Sequence, residues 1–321
     1  MAPEGSRYRL LCKARFNTQE ERSLLGPIQD FLAASSAPRP GRACFSGAGP
    51  VLDRRLHLTN APWDIDGAAL ERELGMPVHL VNDFIALSCG VLQLDVSDAC
   101  QVTALPHCDG SLPVPNPEGL VLVVGAGTGL GVGFVIHTAQ GPRAFPSEGG
   151  HIGLPVFDED TQALWRHLQV GLSGPPGAEM AVSGSGLAMI FRFLLDSRRV
   201  PWTQAAKVIL SLPDADQPAA VSAQADTDPG CGRAMAMFVE LYARVCAELC
   251  AVFLPTGGLF LAGGIASKNA SYFLENGRFM ARFERNYLVH LDQLTRATPV
   301  YLVHDYDLSL YGAAHATAYT S

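Results

Sequence analysis

Leu120-Val121-Leu122-Val123-Val124-Gly125-Ala126-Gly127-Thr128-Gly129-Leu130-Gly131-Val132-Gly133-Phe134-Val135-Ile136 reads as a strand, a glycine turn and a second strand. The apolar run before the turn suits a buried strand. After it, Val132, Phe134 and Ile136 alternate with the period of a strand, not of a helix. Glycines at 125, 127, 129 and 131 leave backbone N–H groups with no Cβ over them, and such a turn can cradle a phosphate. A dinucleotide fingerprint would need G-x-G-x-x-G before a helix, and its last position falls on Leu130, Val132 or Phe134 in the three registers. A Walker A loop would need a Gly-Lys-Ser/Thr ending, and there is no lysine here. A phosphate-cradling β-hairpin remains, beside the plainer reading of an ordinary glycine-rich turn. Thr128 could donate its hydroxyl to the phosphate or serve only the turn.

Working outward, Glu148-Gly149-Gly150-His151 places an acceptor and a donor around two glycines, which suits a polyol; the plainer role for His151 is to anchor its loop. Glu179 could add a third contact or lie on a solvated surface. Leu259-Phe260-Leu261 is a predicted strand running into Gly263-Gly264 and a helix, a second place where backbone can approach a ligand closely. Towards the N-terminus, Val78 to Val81 reads as a buried strand that ends in Asn82-Asp83 and a helix from Phe84 to about Leu92. Ligands bind at such carboxyl ends. Asp83 could take a proton from a hydroxyl and Asn82 could hold a neighbouring one. Local sequence alone favours Asp83 as a helix N-cap.

The 321 residues suggest one large or two medium domains with a substantial core. The net charge of −8 argues against a nucleic-acid surface. The longest apolar stretch, 250–266, is broken by Pro255 and four glycines, so no membrane span is expected. No apolar leader is visible. Cys12, Cys44, Cys89, Cys100, Cys108, Cys231, Cys246 and Cys250 include no C-x-x-C pair, which points to reduced thiols in a cytoplasm and away from structural zinc. No metal ligands are assigned.

Other expected elements are a strand over 8–16, a helix opened by a Thr18/Glu21 capping box and running to about Ala34, and a short strand over 42–45. The order is that of α/β packing. Residues 95–118 are polar and proline-rich and read as a linker; 213–228 reads as acidic surface. Residues 232–254 carry a clear helical stripe through Met235, Phe238, Tyr242, Cys246 and Leu249.

With Leu58-Thr59-Asn60, Trp63, Val81-Asn82-Asp83-Phe84, the glycine turn, Glu148-Gly-Gly-His151, Glu179 with Val182-Ser-Gly184, Leu259 to Gly264, and Pro299 to His304-Asp305, the chain resembles the bacterial glucokinase family. That resemblance implies an α/β, two-domain actin-like sugar-kinase (ribonuclease H-like) fold with a cleft between its domains. It implies a small domain from 1–93 with 304–321 and a large domain from 94–303. It implies glucose and ATP with Mg²⁺ as partners, no nucleic acid or membrane, a cytoplasmic setting, and is compatible with a homodimer. By resemblance Asn82, Asp83, Glu148, His151 and Glu179 are glucose contacts and Asp83 is the catalytic base. Gly125, Ala126, Gly127, Thr128, Gly129, Leu130 and Gly131 form a phosphate loop, and Gly263 and Gly264 an adenosine-side motif.

The family opens with a strand, an Asp-x-Gly-Gly-Thr-Asn loop and a second strand. Nothing between Met1 and Phe16 resembles them, so the first domain is expected to be incomplete at its N-terminus, without the first phosphate loop and an aspartate that helps hold Mg²⁺. Two functions stay open: an ATP-dependent glucokinase of glycolysis, whose activity in this chain is in question, and a non-catalytic sugar-binding or regulatory relative. A nicotinamide-dependent oxidoreductase is opposed by the failed glycine registers.

Overall fold

A computed structural model describes residues 1–5, 7–18, 20–58, 63–304 and 307–317. The chain divides into two compact units. One takes Met1–Asp95, Gly133–Pro146 and Asp305–Ser321; the other takes Val96–Val132 and Ser147–His304. The hairpin segment Gly133–Pro146 thus packs with the first unit, although its sequence neighbours on both sides belong to the second.

In the first unit, strands Ala43–Gly47 and Val78–Asn82 pair in parallel, from Ala43 opposite Val78 to Gly47 opposite Asn82. Helix Gly67–Leu74 leads into the second of them. Asp66 caps its start by accepting the Ala69 N–H at 2.9 Å, and Gly75 ends it at φ 62°, a left-handed value that suits glycine. Leu56, Ile65, Leu70, Leu74, Met76 and Val78 form the core beneath. Helix Asp83–Val91 follows the strand, and the C-terminal helix Leu308–Ala316 lies against it.

Two N-terminal expectations are corrected. The strand over 8–16 shrinks to Arg7–Arg9, paired with Ala2–Glu4; the residues beyond alternate suitably but have no partner ladder among the described residues, and a strand needs one. The capping box does not form. Helix Leu25–Ala34 starts later, with Pro27 in its first turn, where a fixed φ and a missing N–H cost nothing, while Glu20 accepts from the Asn17 amide instead.

The second unit is built on parallel strands whose residues are almost wholly apolar, as expected for a sheet covered on both faces. Strand Val121–Ala126 pairs with Gly258–Ala262, from Val121 opposite Gly258 to Gly125 opposite Ala262. Gly258–Ala262 pairs in turn with Val300–Val303. Every residue of these three strands is buried. Helix Pro229–Phe253 crosses this unit for 25 residues, capped by Asp228 through the Gly230 and Cys231 amides. From its middle, the buried Tyr242 hydroxyl donates to the Val124 carbonyl at 2.8 Å.

The linker expected over 95–118 is corrected too. It contains strand Val102–Ala104, antiparallel to Val300–Val303. Just beyond, His107 is fully enclosed: Nδ1 lies 2.9 Å from the Glu284 carboxylate and Nε2 lies 2.9 Å from the Thr298 carbonyl. Glu284 also accepts the Cys108 N–H and the Arg296 guanidinium. Proline and polar residues mark this segment as irregular, yet its histidine is a packed structural group. The acidic stretch at 213–228 contributes helix Gln217–Ala223.

Candidate functional site

The glycine turn closes as residues 127–129 between strands Val121–Ala126 and Leu130–Thr138. Gly127 N–H donates to the Gly129 carbonyl at 2.8 Å, and the Gly184 N–H donates to the Gly127 carbonyl at 2.8 Å. The start of helix Gly184–Asp196, capped by Ser183 through the Gly186 N–H, is thereby fixed to the turn. The Thr128 and Gly129 amides donate to no group among the described residues, and the Thr128 side chain is exposed. None of the turn glycines has a positive φ. Their smallness serves close approach: a Cβ on Gly129 would sit 2.5 Å from the Glu179 carboxylate.

Gly263-Gly264 lies at the carboxyl end of Gly258–Ala262, beside Gly125 and Ala126. Gly263 has φ 93° and ψ 159°, a region open only to glycine, and a Cβ there would be 2.6 Å from the Ala126 carbonyl. Gly264 opens the short helix Gly264–Lys268. The two glycine motifs are thus neighbours across adjacent parallel strands, the usual position for ligands in such sheets.

Glu179 sits on the single turn Ala178–Met180, and its carboxylate accepts the Leu130 N–H at 2.8 Å. It is therefore tied to the glycine turn and is not a free surface residue. Glu148 and His151 flank the single turn Gly149–His151. Gly150 is pressed so closely on Leu130 that a Cβ would overlap its carbonyl, and the Ala178 N–H bonds the Ile152 carbonyl at 2.7 Å. This brings Glu148, His151 and Glu179 around the outgoing strand of the glycine turn. Glu148 is almost fully exposed and His151 is 61% exposed, 3.6 Å apart. Among the described residues the His151 ring makes no loop-anchoring hydrogen bond, only this approach to the Glu148 carboxylate.

In the first unit, Asn82 is the N-cap of helix Asp83–Val91: its side-chain oxygen accepts the Phe84 N–H at 2.9 Å and its amide donates to the Gly49 carbonyl at 3.2 Å. This corrects the reading of Asp83 as the cap. Asp83 is the first helical residue, and one of its carboxylate oxygens accepts the Phe84 N–H at 3.0 Å. Burial raises its pKa above the ordinary aspartate value, an effect opposed by that amide and by Asn82. Gly49, whose carbonyl anchors Asn82, is not among the candidate residues above. Its signal was the glycine pair after strand Ala43–Gly47: Gly49 has φ 147°, and a Cβ would overlap the His57 carbonyl.

Thr59, Asn60 and Asp305, which belong to the motifs above, lie outside the described residues. Among those described, no group of three or more His, Cys, Asp or Glu side chains could hold a metal ion. No helix among them is long and apolar enough to cross a membrane.

A family model described as Glucokinase matches residues 3–320. The chain belongs to the glucokinase family. A glucokinase from Nostoc sp. is 31% identical over 312 residues, covering 92% of this chain and 87% of the relative. One from Synechocystis sp. is 35% identical over 293 residues, covering 86% and 79%. Among solved structures, glucokinase from an Antarctic psychrotroph superposes with a TM-score of 0.78 at 24% identity, covering 95% of this chain and 88% of that one. Glucokinase from Balamuthia mandrillaris in complex with glucose gives 0.72 at 21% identity, covering 92% and 81%. These two likenesses carry the fold, the α/β sugar-kinase fold expected from the sequence. Membership makes the chain a sugar kinase by family, and the non-catalytic alternative is not favoured.

Proposed function

We propose that this glucokinase-family chain transfers the γ-phosphoryl group of ATP to the 6-hydroxyl of glucose, giving glucose 6-phosphate and ADP, the entry step of glycolysis, in the cytoplasm. The observation that carries the reading is the division of labour at the start of helix Asp83–Val91. Asn82 does the capping, and Asp83 keeps a partly buried carboxylate whose basicity is raised. A general base gains from such a shift towards the working pH.

In the reaction Asp83 accepts the proton of the 6-hydroxyl. The oxygen bonds to the γ-phosphorus, and the bond from that phosphorus to the bridging oxygen of ADP breaks. Asn82, Glu148, His151 and Glu179 hold sugar hydroxyls as acceptors and donors. The amides of Thr128 and Gly129 face negative oxygen of the nucleotide phosphates, and the bare Cα of Gly263 lets the nucleotide lie against backbone. Mg²⁺ arriving with the nucleotide would supply positive charge against the phosphates. A glucokinase from Streptomyces griseus that shares the fold is known in complex with glucose and AMPPNP, at a TM-score of 0.59 and 20% identity.

The test is ADP release by the purified chain in a coupled assay with ATP, with and without glucose. Glucose-dependent ADP formation is expected. Calorimetric glucose binding with no glucose-dependent ADP formation would overturn the kinase reading and leave a sugar-binding protein.

A further inference from the structure

Helix Asp83–Val91 is enclosed by glycines on two faces of the first unit. Phe84 and Ser88 are four residues apart and share one face. Ala86 and Gly90 share another, about 200° round the helix at 100° per residue. On the first face stands Gly133. A Cβ there would overlap the Ser88 hydroxyl oxygen and lie 3.4 Å from the Phe84 and Phe145 carbonyls. On the second face stands the C-terminal helix Leu308–Ala316. A Cβ on its Gly312 would overlap the Ala86 carbonyl, and one on Gly90 would overlap the Leu308 carbonyl. The helix is therefore in close contact with backbone or side chain on both faces.

Ser88 marks how tight the first face is. It is fully buried, and its hydroxyl has no hydrogen-bond partner among the described residues. A buried hydroxyl without a partner is normally selected against. Gly133 does not have a positive φ, so an alanine there would fit the backbone, and its only obstacle is steric.

We infer that Gly133 is a positioning residue for Asp83: its missing side chain sets where helix Asp83–Val91 sits, and through it where the Asp83 carboxylate sits. This rests on Asp83 being the base. A methyl group at 133 must push on Ser88. With Gly312 closing the opposite face, the strain that turning the Ser88 hydroxyl does not relieve makes the helix slide or rotate, which carries its first residue with it. Of the proposed sugar contacts, Glu148, His151 and Glu179 belong to the other unit's chain segments, and Asn82, just before the helix, is held from outside it by the Gly49 carbonyl. The loss should therefore fall on turnover more than on sugar binding.

The experiment compares Gly133→Ala, Ser88→Ala, their combination and Asp83→Asn in the purified chain, by steady-state kinetics with glucose and ATP and by calorimetric glucose binding. Gly133→Ala should lower kcat by about tenfold or more, the scale of a misplacement of under about 1 Å, with glucose KM and Kd within about twofold. Ser88→Ala alone should leave kcat within about twofold, since it removes only an unpartnered hydroxyl. The combination should restore kcat, because alanine at 88 vacates the space that the new methyl group needs. Should Gly133→Ala fail to fold, Ser88→Cys, which presses a larger atom towards Gly133, is read for the same split. Unchanged kcat in Gly133→Ala, or a loss that Ser88→Ala does not repair, overturns the positioning role. Unchanged kcat in Asp83→Asn overturns the base assignment instead, so the two failures are distinguishable.

Discussion

Asp83 and Asn82 show how one residue's chemistry depends on its neighbour's structural work. Either could cap the helix, and local sequence favours the aspartate. The structure gives the cap to Asn82, whose φ of −64° and ψ of 150° are extended and whose amide is also anchored on Gly49. Asp83, one residue on, is left with a carboxylate raised in pKa by burial. The sign of its effect on stability follows. A carboxyl whose folded pKa lies above its unfolded value of about 3.9 favours the fold when protonated, and that contribution is lost as pH rises through the folded pKa. At pH 7 the charged Asp83 therefore weakens the fold. Asp83→Asn should keep or raise the melting temperature at pH 7, and the difference should vanish below pH 4. Thermal scans at both pH values check this; a fall of several degrees at pH 7 would show that the carboxylate is structural.

At the scale of elements, the glycine turn and the strands around it were legible because their signals are local: an apolar run, glycines, then alternation by two. The long helix Pro229–Phe253 was legible from its apolar stripe. Partners distant in sequence were not. Strand Val102–Ala104 exists because Val300–Val303 offers it an edge, and His107 is buried because Glu284, far along the chain, meets it. Nothing within 95–118 states either. The same holds for Glu179, whose tie to Leu130 spans 49 residues. Gly263 makes the element-scale reading testable. At φ 93° and ψ 159°, Gly263→Ala should cost about 1–3 kcal/mol of stability, read from the urea midpoint, and should raise the KM for ATP more than that for glucose. A midpoint equal to that of the unsubstituted chain would show that the backbone there accommodates a side chain after all.

At the scale of the whole molecule, the fold class and family follow from motifs spread over nearly the full length, and the match over residues 3–320 agrees with that spread. The grouping of Gly133–Pro146 with the first unit was not legible, because the hairpin is continuous in sequence with the glycine turn and only packing on helix Asp83–Val91 assigns it. Of the site residues singled out in the sequence, those of the second unit gather around the glycine turn, and those of the first stand at one strand end. The most direct measurement is kcat for glucose phosphorylation by the purified chain and by Asp83→Asn, alongside calorimetric glucose binding for each. The expected result is glucose-dependent turnover that falls by at least about 10²-fold in the variant, the scale of a lost general base, while glucose affinity changes only a few-fold. Equal kcat in the two proteins would contradict the assignment of Asp83 as the base.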